Sequence, residues 1–204
     1  MQASRFIILI IFVIFLAATG AISAIYFKNF SFNSNNKQLL KVDQSNNQTA
    51  SSRSVPLAFA MKITSPDFTN MGKLPSRASC DGEGVNPALQ IFDVPANAKS
   101  LVLIVDDPDA PRGIFTHWLV WNINPQTKTI AQNSVPDGAT QGTNSGGSIG
   151  YFPACPPSGT HRYIFTIYAI DAILDLSSSA TADILKRALE GHILDQAQII
   201  GLYR

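Results

Sequence analysis

From Leu57 to the C-terminus the chain breaks into short β-prone runs separated by clusters of Pro, Gly, Asn and Asp. That spacing leaves no room for repeated strand–helix–strand units and predicts an all-β sandwich or barrel. The clearest strands are Ser100 to Val105, His117 to Ile123 and Arg162 to Ile170, with Ala197 to Tyr203 as a closing strand. Side chains alternate along a strand, so His161, Tyr163, Phe165 and Ile167 share one face and Arg162, Ile164, Thr166 and Tyr168 the other. Both faces are largely apolar, which places this strand centrally with cover on both sides. One helix stands out, Ser179 to Gly191, where Ala182, Leu185, Ala188 and Leu189 form an apolar stripe and Gly191 offers a stop.

The N-terminus is of a different kind. Phe6 to Phe27 runs 22 residues without a charge, about 33 Å as a helix, enough for a hydrocarbon core. Arg5 precedes the run, and small residues from Ala17 to Ala24 follow its most apolar part, so a cleaved signal with an Ala21-x-Ser23 exit competes with an uncleaved anchor. The length of the apolar run favours the anchor, and either reading exports the rest of the chain. The expected localisation is membrane-anchored or secreted, with the body on the extracytoplasmic side, periplasmic in a bacterium. Residues 28–56 hold six Asn, six Ser and three Gln without a hydrophobic period and read as a flexible tether. The expected organisation is thus a membrane or signal segment at 1–27, a linker at 28–56 and a folded body at 57–204.

Charge divides along the same boundary. Five basic residues and one acidic residue give +4 over 1–56, while 10 basic and 13 acidic residues give −3 over 57–204. Neither part has the clustered Lys and Arg that a phosphate backbone requires, which excludes nucleic acid as the partner.

Two constrained segments of the body lie beside histidines. In Asp106-Asp107-Pro108-Asp109-Ala110-Pro111 the prolines bias Asp107 and Ala110 to extended geometry, so the acids are held. An ordinary turn capped by Asp side chains accounts for the same residues equally well. Gly150 to Tyr163 is a Pro-rich and Gly-rich loop that delivers His161 and Tyr163 to one face of the next strand. Should the strands be neighbours, His117, His161, Tyr163, Asp107 and Asp109 form a site suited to an anion. Imidazole and phenol donate hydrogen bonds to the anion, and a carboxylate orients a His through its second nitrogen.

These residues carry a resemblance. Cys80-Asp81-Gly82-Glu83-Gly84-Val85-Asn86-Pro87, Asp107-Pro108-Asp109-Ala110-Pro111, His117-Trp118-Leu119-Val120 with Asn122, and Cys155-Pro156-Pro157-Ser158-Gly159-Thr160-His161-Arg162-Tyr163 occur in order, with Glu190-Gly191-His192 after them. Over about residues 60–204 the body resembles the phosphatidylethanolamine-binding proteins, which include the Raf kinase inhibitor protein, and most of all their prokaryotic branch. The resemblance implies an antiparallel β-sandwich with a minor helix and a pocket for phosphate, acetate or a phospholipid head group. Carried over, the pocket comprises Asp107, Asp109, His117, Cys155, Pro157, His161 and Tyr163, with Tyr151 on its rim. Where the family commonly has two glycines after the tyrosine, this chain has Phe152 and Pro153, which predicts a reshaped rim.

Cys80 and Cys155 are the only cysteines. An even pair in an exported body favours a disulfide between the Cys80 loop and the pocket loop; two free buried thiols are the alternative. Three functions compete: a non-enzymatic module for a small anion or phospholipid head group, an inhibitor of a kinase or protease acting through protein contacts, and a hydrolase or metal enzyme using His117, His161, Asp107 and Asp109. With no Gly-x-Ser-x-Gly and no His-Glu-x-x-His, binding without catalysis, metal or cofactor is the expectation.

Overall fold

The computed structural model describes residues 60–204. The apolar run at 6–27, the tether at 28–56 and the start of the body lie outside the described residues. Among those described, no helix is long and apolar enough to cross a membrane.

Nine strands, one α-helix and one 3-10 turn make up the described body. In chain order these are β1 (Lys62–Thr64), β2 (Gly72–Lys73), the 3-10 turn Ser76–Ala78, β3 (Leu89–Phe92), β4 (Ser100–Asp107), β5 (Phe115–Ile123), β6 (Thr129–Ile130), β7 (Thr140–Gln141), β8 (His161–Ile170), α1 (Ala182–Leu189) and β9 (Ile193–Tyr203). They form a three-stranded sheet, β1-β3-β6, and a six-stranded sheet, β2-β9-β8-β4-β5-β7. The fold is all-β with a minor helix. Pairing is antiparallel except at one edge, where the two residues of β2 run parallel to β9.

Strands β4 and β8 are central, and their sequences explain why. Ser100 to Val105 is buried at every position, and β8 places Tyr163, Phe165, Ile167 and Ala169 in one apolar cluster while Tyr168 and Ile170 join another. The larger cluster draws Ile63, Leu89, Ile91 and Ile130 from the small sheet and Leu103, Val105, Trp118 and Phe165 from the large one. Each such side chain, fully buried, contributes about 1.5–3 kcal/mol. The smaller cluster lies under α1, whose Leu185 and Leu189 meet Val102, Ile104, Leu119 and Trp121.

The helix is shorter than its apolar stripe predicts. Ser177 to Ala180 closes a turn, Ala180 N–H donating to the Ser177 carbonyl at 2.9 Å, and Thr181 takes the N-cap position, so the helix begins at Ala182. Gly191, with φ of +80°, supplies the predicted stop. The closing strand is longer than predicted, starting at Ile193 because its polar residues Asp195, Gln196 and Gln198 pair with β8 as Ala197 does.

Candidate functional site

The site is built where β4, β5 and β8 end side by side. Alternation along β4 sends Asp106 and Asp107 to opposite faces. Asp106 turns toward the helix side, accepting from Thr116 Oγ1 at 2.6 Å and Lys186 Nζ at 2.8 Å. The acidic run is therefore not one wall, and only Asp107 meets a histidine. Its Oδ2 accepts from His161 Nδ1 at 2.7 Å, and both residues are buried.

His117 arrives by a register shift. Val105 pairs with Trp118 but Asp106 with Thr116, so β5 carries one extra residue against β4 at His117. The shift brings the imidazole against Tyr163, ring centroids 5.0 Å apart in an edge-on arrangement. His117 Nδ1–H donates to the Phe152 carbonyl at 2.9 Å, while the Phe152 N–H returns a bond to the His117 carbonyl at 2.8 Å. Burial holds the His117 imidazole below its ordinary pKa, and Asp107 and the Phe152 carbonyl oppose that shift.

Both imidazoles are thus oriented through Nδ1, and neither Nε2 has a protein partner among the described residues. Beside His117 lies an unusual hydroxyl. Tyr163 is buried and its oxygen has no hydrogen-bond partner, the nearby Cys155 backbone falling outside hydrogen-bond geometry. Burial pushes its phenol well above the usual range. A buried, unpaired donor costs roughly 1–3 kcal/mol and is the kind of group that a ligand oxygen relieves.

The remaining predicted residues surround this centre. Asp109 sits on the rim with both oxygens engaged, accepting from Arg162 Nε at 2.9 Å, Nη2 at 2.7 Å and the backbone N–H at 2.9 Å. These bonds hold its carboxyl at about 2. Tyr151 donates to the Ala78 carbonyl at 2.8 Å and sets its ring edge-on to Trp118, so it is a wall residue. Cys155 is bonded to Cys80, Cα atoms 5.4 Å apart. Pro157 lines an open cleft of about 560 Å³ together with residues of the Ala110–Phe115 segment. Among the described residues no three His, Cys, Asp or Glu side chains form a metal-ligand set, and Asp109 and Asp106 pair with Arg162 and Lys186.

Several contributors escaped the sequence reading. Phe115 and Phe152 pack on His117 with centroids 4.7 and 5.9 Å away. The Phe152 backbone makes both bonds to His117 without a positive φ. Arg162 could have been suspected as the neighbour of His161 on the opposite strand face, whereas the sequence marks Phe152 only as a departure at the rim and not as a contact of His117.

Residues 64–204 match the family model described as phosphatidylethanolamine-binding protein. The chain belongs to the phosphatidylethanolamine-binding protein family. It is 46% identical over 149 residues to a UPF0098 protein of Methanothermobacter thermautotrophicus, covering 71% of this chain and 99% of the relative. Among solved structures, CT736 of Chlamydia trachomatis, described as a phosphatidylethanolamine-binding protein homologue, superposes with a TM-score of 0.69 at 42% identity, covering 71% of this chain and 97% of that one. Escherichia coli YbcL, described as a member of the mammalian family, superposes at 0.67 with 27% identity, covering 71% and 98%.

Proposed function

We propose that this protein is a non-enzymatic binding protein that holds a phosphate-type anion, free or as part of a head group, between His117 and His161. The observation that carries the reading is the pair of imidazoles fixed through Nδ1 with unpartnered Nε2 atoms beside the unpaired Tyr163 hydroxyl. Protonated imidazoles donate from Nε2, and Tyr163 adds a third donor, so the ligand receives up to three hydrogen bonds. Asp107 orients His161 through Nδ1, while Asp109 is paired with Arg162 rather than facing the ligand. Pro157 and the Cys155 loop form the outer rim, and Tyr151 braces the wall behind it.

The body operates outside the cytoplasm, tethered by or released from the apolar segment at 6–27. The Cys80–Cys155 bond supports this, since disulfides persist in oxidising compartments.

Calorimetric titration of the full chain with inorganic phosphate tests the site. His117→Ala and His161→Ala are each expected to weaken binding by about tenfold or more, the loss of one charge-assisted hydrogen bond. Binding unchanged in both variants would remove the assignment.

A further inference from the structure

The described residues begin at Ala60, at the end of the body opposite the anion site. Met61 N–H donates to Asp195 Oδ2 at 2.8 Å, and β1 sets Lys62 against Phe92. Asp195 lies near the start of β9, where Ala169 and Ile170 of β8 pair with Asp195 and Ile193. His161 stands at the other end of β8, roughly 30 Å away along the strand.

That end carries large apolar side chains open to solvent: Ile173 is 64% exposed, Ile193 46% and Phe92 43%. The turns that bear the two isoleucines are bonded into one unit. Asp171 N–H donates to the His192 carbonyl at 3.1 Å, Lys99 N–H to the Ile170 carbonyl at 2.8 Å and Ser100 Oγ to the Ala172 carbonyl at 2.7 Å. The acids beside them are engaged, Asp93 with Lys62, Asp171 with His192 and Asp195 with the Met61 N–H. Lys99 and Asp175 form no ion pair among the described residues, and their charges offset each other. An apolar end without excess charge suits a zwitterionic lipid interface, where its side chains enter the acyl boundary and the paired polar groups stay among the head groups. It has no basic cluster with which to seek an anionic surface.

We infer that this end of the body rests on the bilayer that holds the apolar run at 6–27, with Phe92, Ile173 and Ile193 in the lipid interface and the anion site pointing away. The inference rests on the membrane-tethered reading above and adds the orientation of the body. Because the chain leaves at Ala60, this end meets the surface without the connecting residues passing around the body. Fully extended at ~3.5 Å per residue, the stretch 28–59 spans no more than about 110 Å. A body confined within that distance sees the surface at an effective concentration on the order of mM, so a contact made by a few side chains is populated. The anion site then opens to ligands in solution rather than to head groups of the anchoring leaflet.

The full chain, reconstituted into palmitoyl-oleoyl-phosphatidylcholine vesicles that contain a nitroxide-labelled lipid, tests this by fluorescence quenching. One fluorophore is attached at Ile173→Cys and, in a separate chain, at Ile149→Cys. Ile149 is 58% exposed and belongs to the segment bonded to Thr116, next to His117. The native cysteines are bonded to each other and take no label. Quenching at position 173 is expected to be severalfold stronger than at 149. Ile193→Ser in the Ile173→Cys chain, at an exposed position where folding is not at stake, is expected to shift the bound-to-free ratio about threefold or more toward free, as loss of half a buried isoleucine provides. Equal quenching at 173 and 149, no quenching at 173 in a chain that floats with the vesicles, or full quenching retained with Ile193→Ser would each overturn the orientation alone. A full chain that does not float with the vesicles would overturn the membrane-tethered reading as well.

Discussion

His117 and His161 are oriented through Nδ1 by acceptors of different kinds. His161 leans on a carboxylate, Asp107, whereas His117 leans on a backbone carbonyl in an aromatic surround. Histidines and acids were legible in the sequence because the prolines and the strand pattern held them in place. Which acid served which partner was not, since Asp106, Asp107 and Asp109 look alike along the chain but face three different partners, Lys186, His161 and Arg162. The Asp109–Arg162 pair makes a sharp prediction. Arg162 is exposed, so Arg162→Ala is expected to leave stability almost unchanged, yet Asp109 should then titrate near the ordinary value of about 3.9. Carboxyl titration monitored by NMR checks this: a midpoint of about 2 in the native chain, moving up in the variant. The freed carboxylate at the rim should also weaken phosphate binding by repulsion.

At the level of elements, strands β4, β5 and β8 were readable from apolar runs and alternation, and the helix from its stripe and its glycine stop. Alternation fails at one place that matters. Strict period two along β5 would group His117 with Leu119 and Trp121, which lie under α1. The extra residue between Thr116 and Trp118 turns His117 to the Tyr163 side, a consequence of how β5 pairs with a strand distant in sequence and thus invisible locally. The segment at 151–155 is likewise placed by long-range contacts. Tyr151 and Ala154 both donate to the Ala78 carbonyl, Cys80 N–H donates to the Ala154 carbonyl, and the disulfide closes the junction. That strap is what presents the Phe152 carbonyl to His117. The bond spans 75 residues, and its loss through Cys80→Ser with Cys155→Ser is expected to lower stability by about 2–4 kcal/mol. Urea denaturation of the full chain measures it; an unchanged midpoint would show that the backbone bonds alone hold the strap.

Over the whole molecule, residues 57–204 carry −3, so the proposed anion site is set in a net acidic body. The acids nearest the site are paired, leaving imidazoles and a phenol as its local chemistry. Stability should fall on acidification. Because burial lowers the His117 pKa in the folded state, the unfolded chain takes up that proton first. The effect is absent above the ordinary value of about 6.5 and grows as pH drops below it. Asp109 acts in the same direction at lower pH, its contribution being lost as pH falls toward about 2. Thermal midpoints from about pH 8 to about pH 5 should decline, and added phosphate, which favours the imidazolium, should offset the decline in the native chain but not in His117→Ala.

The most direct test uses the third histidine as an internal reference. His192 makes the same Nδ1 contact with an aspartate, Asp171, at 2.7 Å, but lies beyond the far end of β8, roughly 30 Å along that strand from His161. Imidazole nitrogen NMR during titration of the full chain with inorganic phosphate should show saturable shifts of the His117 and His161 Nε2 resonances toward the protonated form, with His192 unmoved. Shifts equal at all three rings, or none at His117 and His161, would contradict anion binding between them.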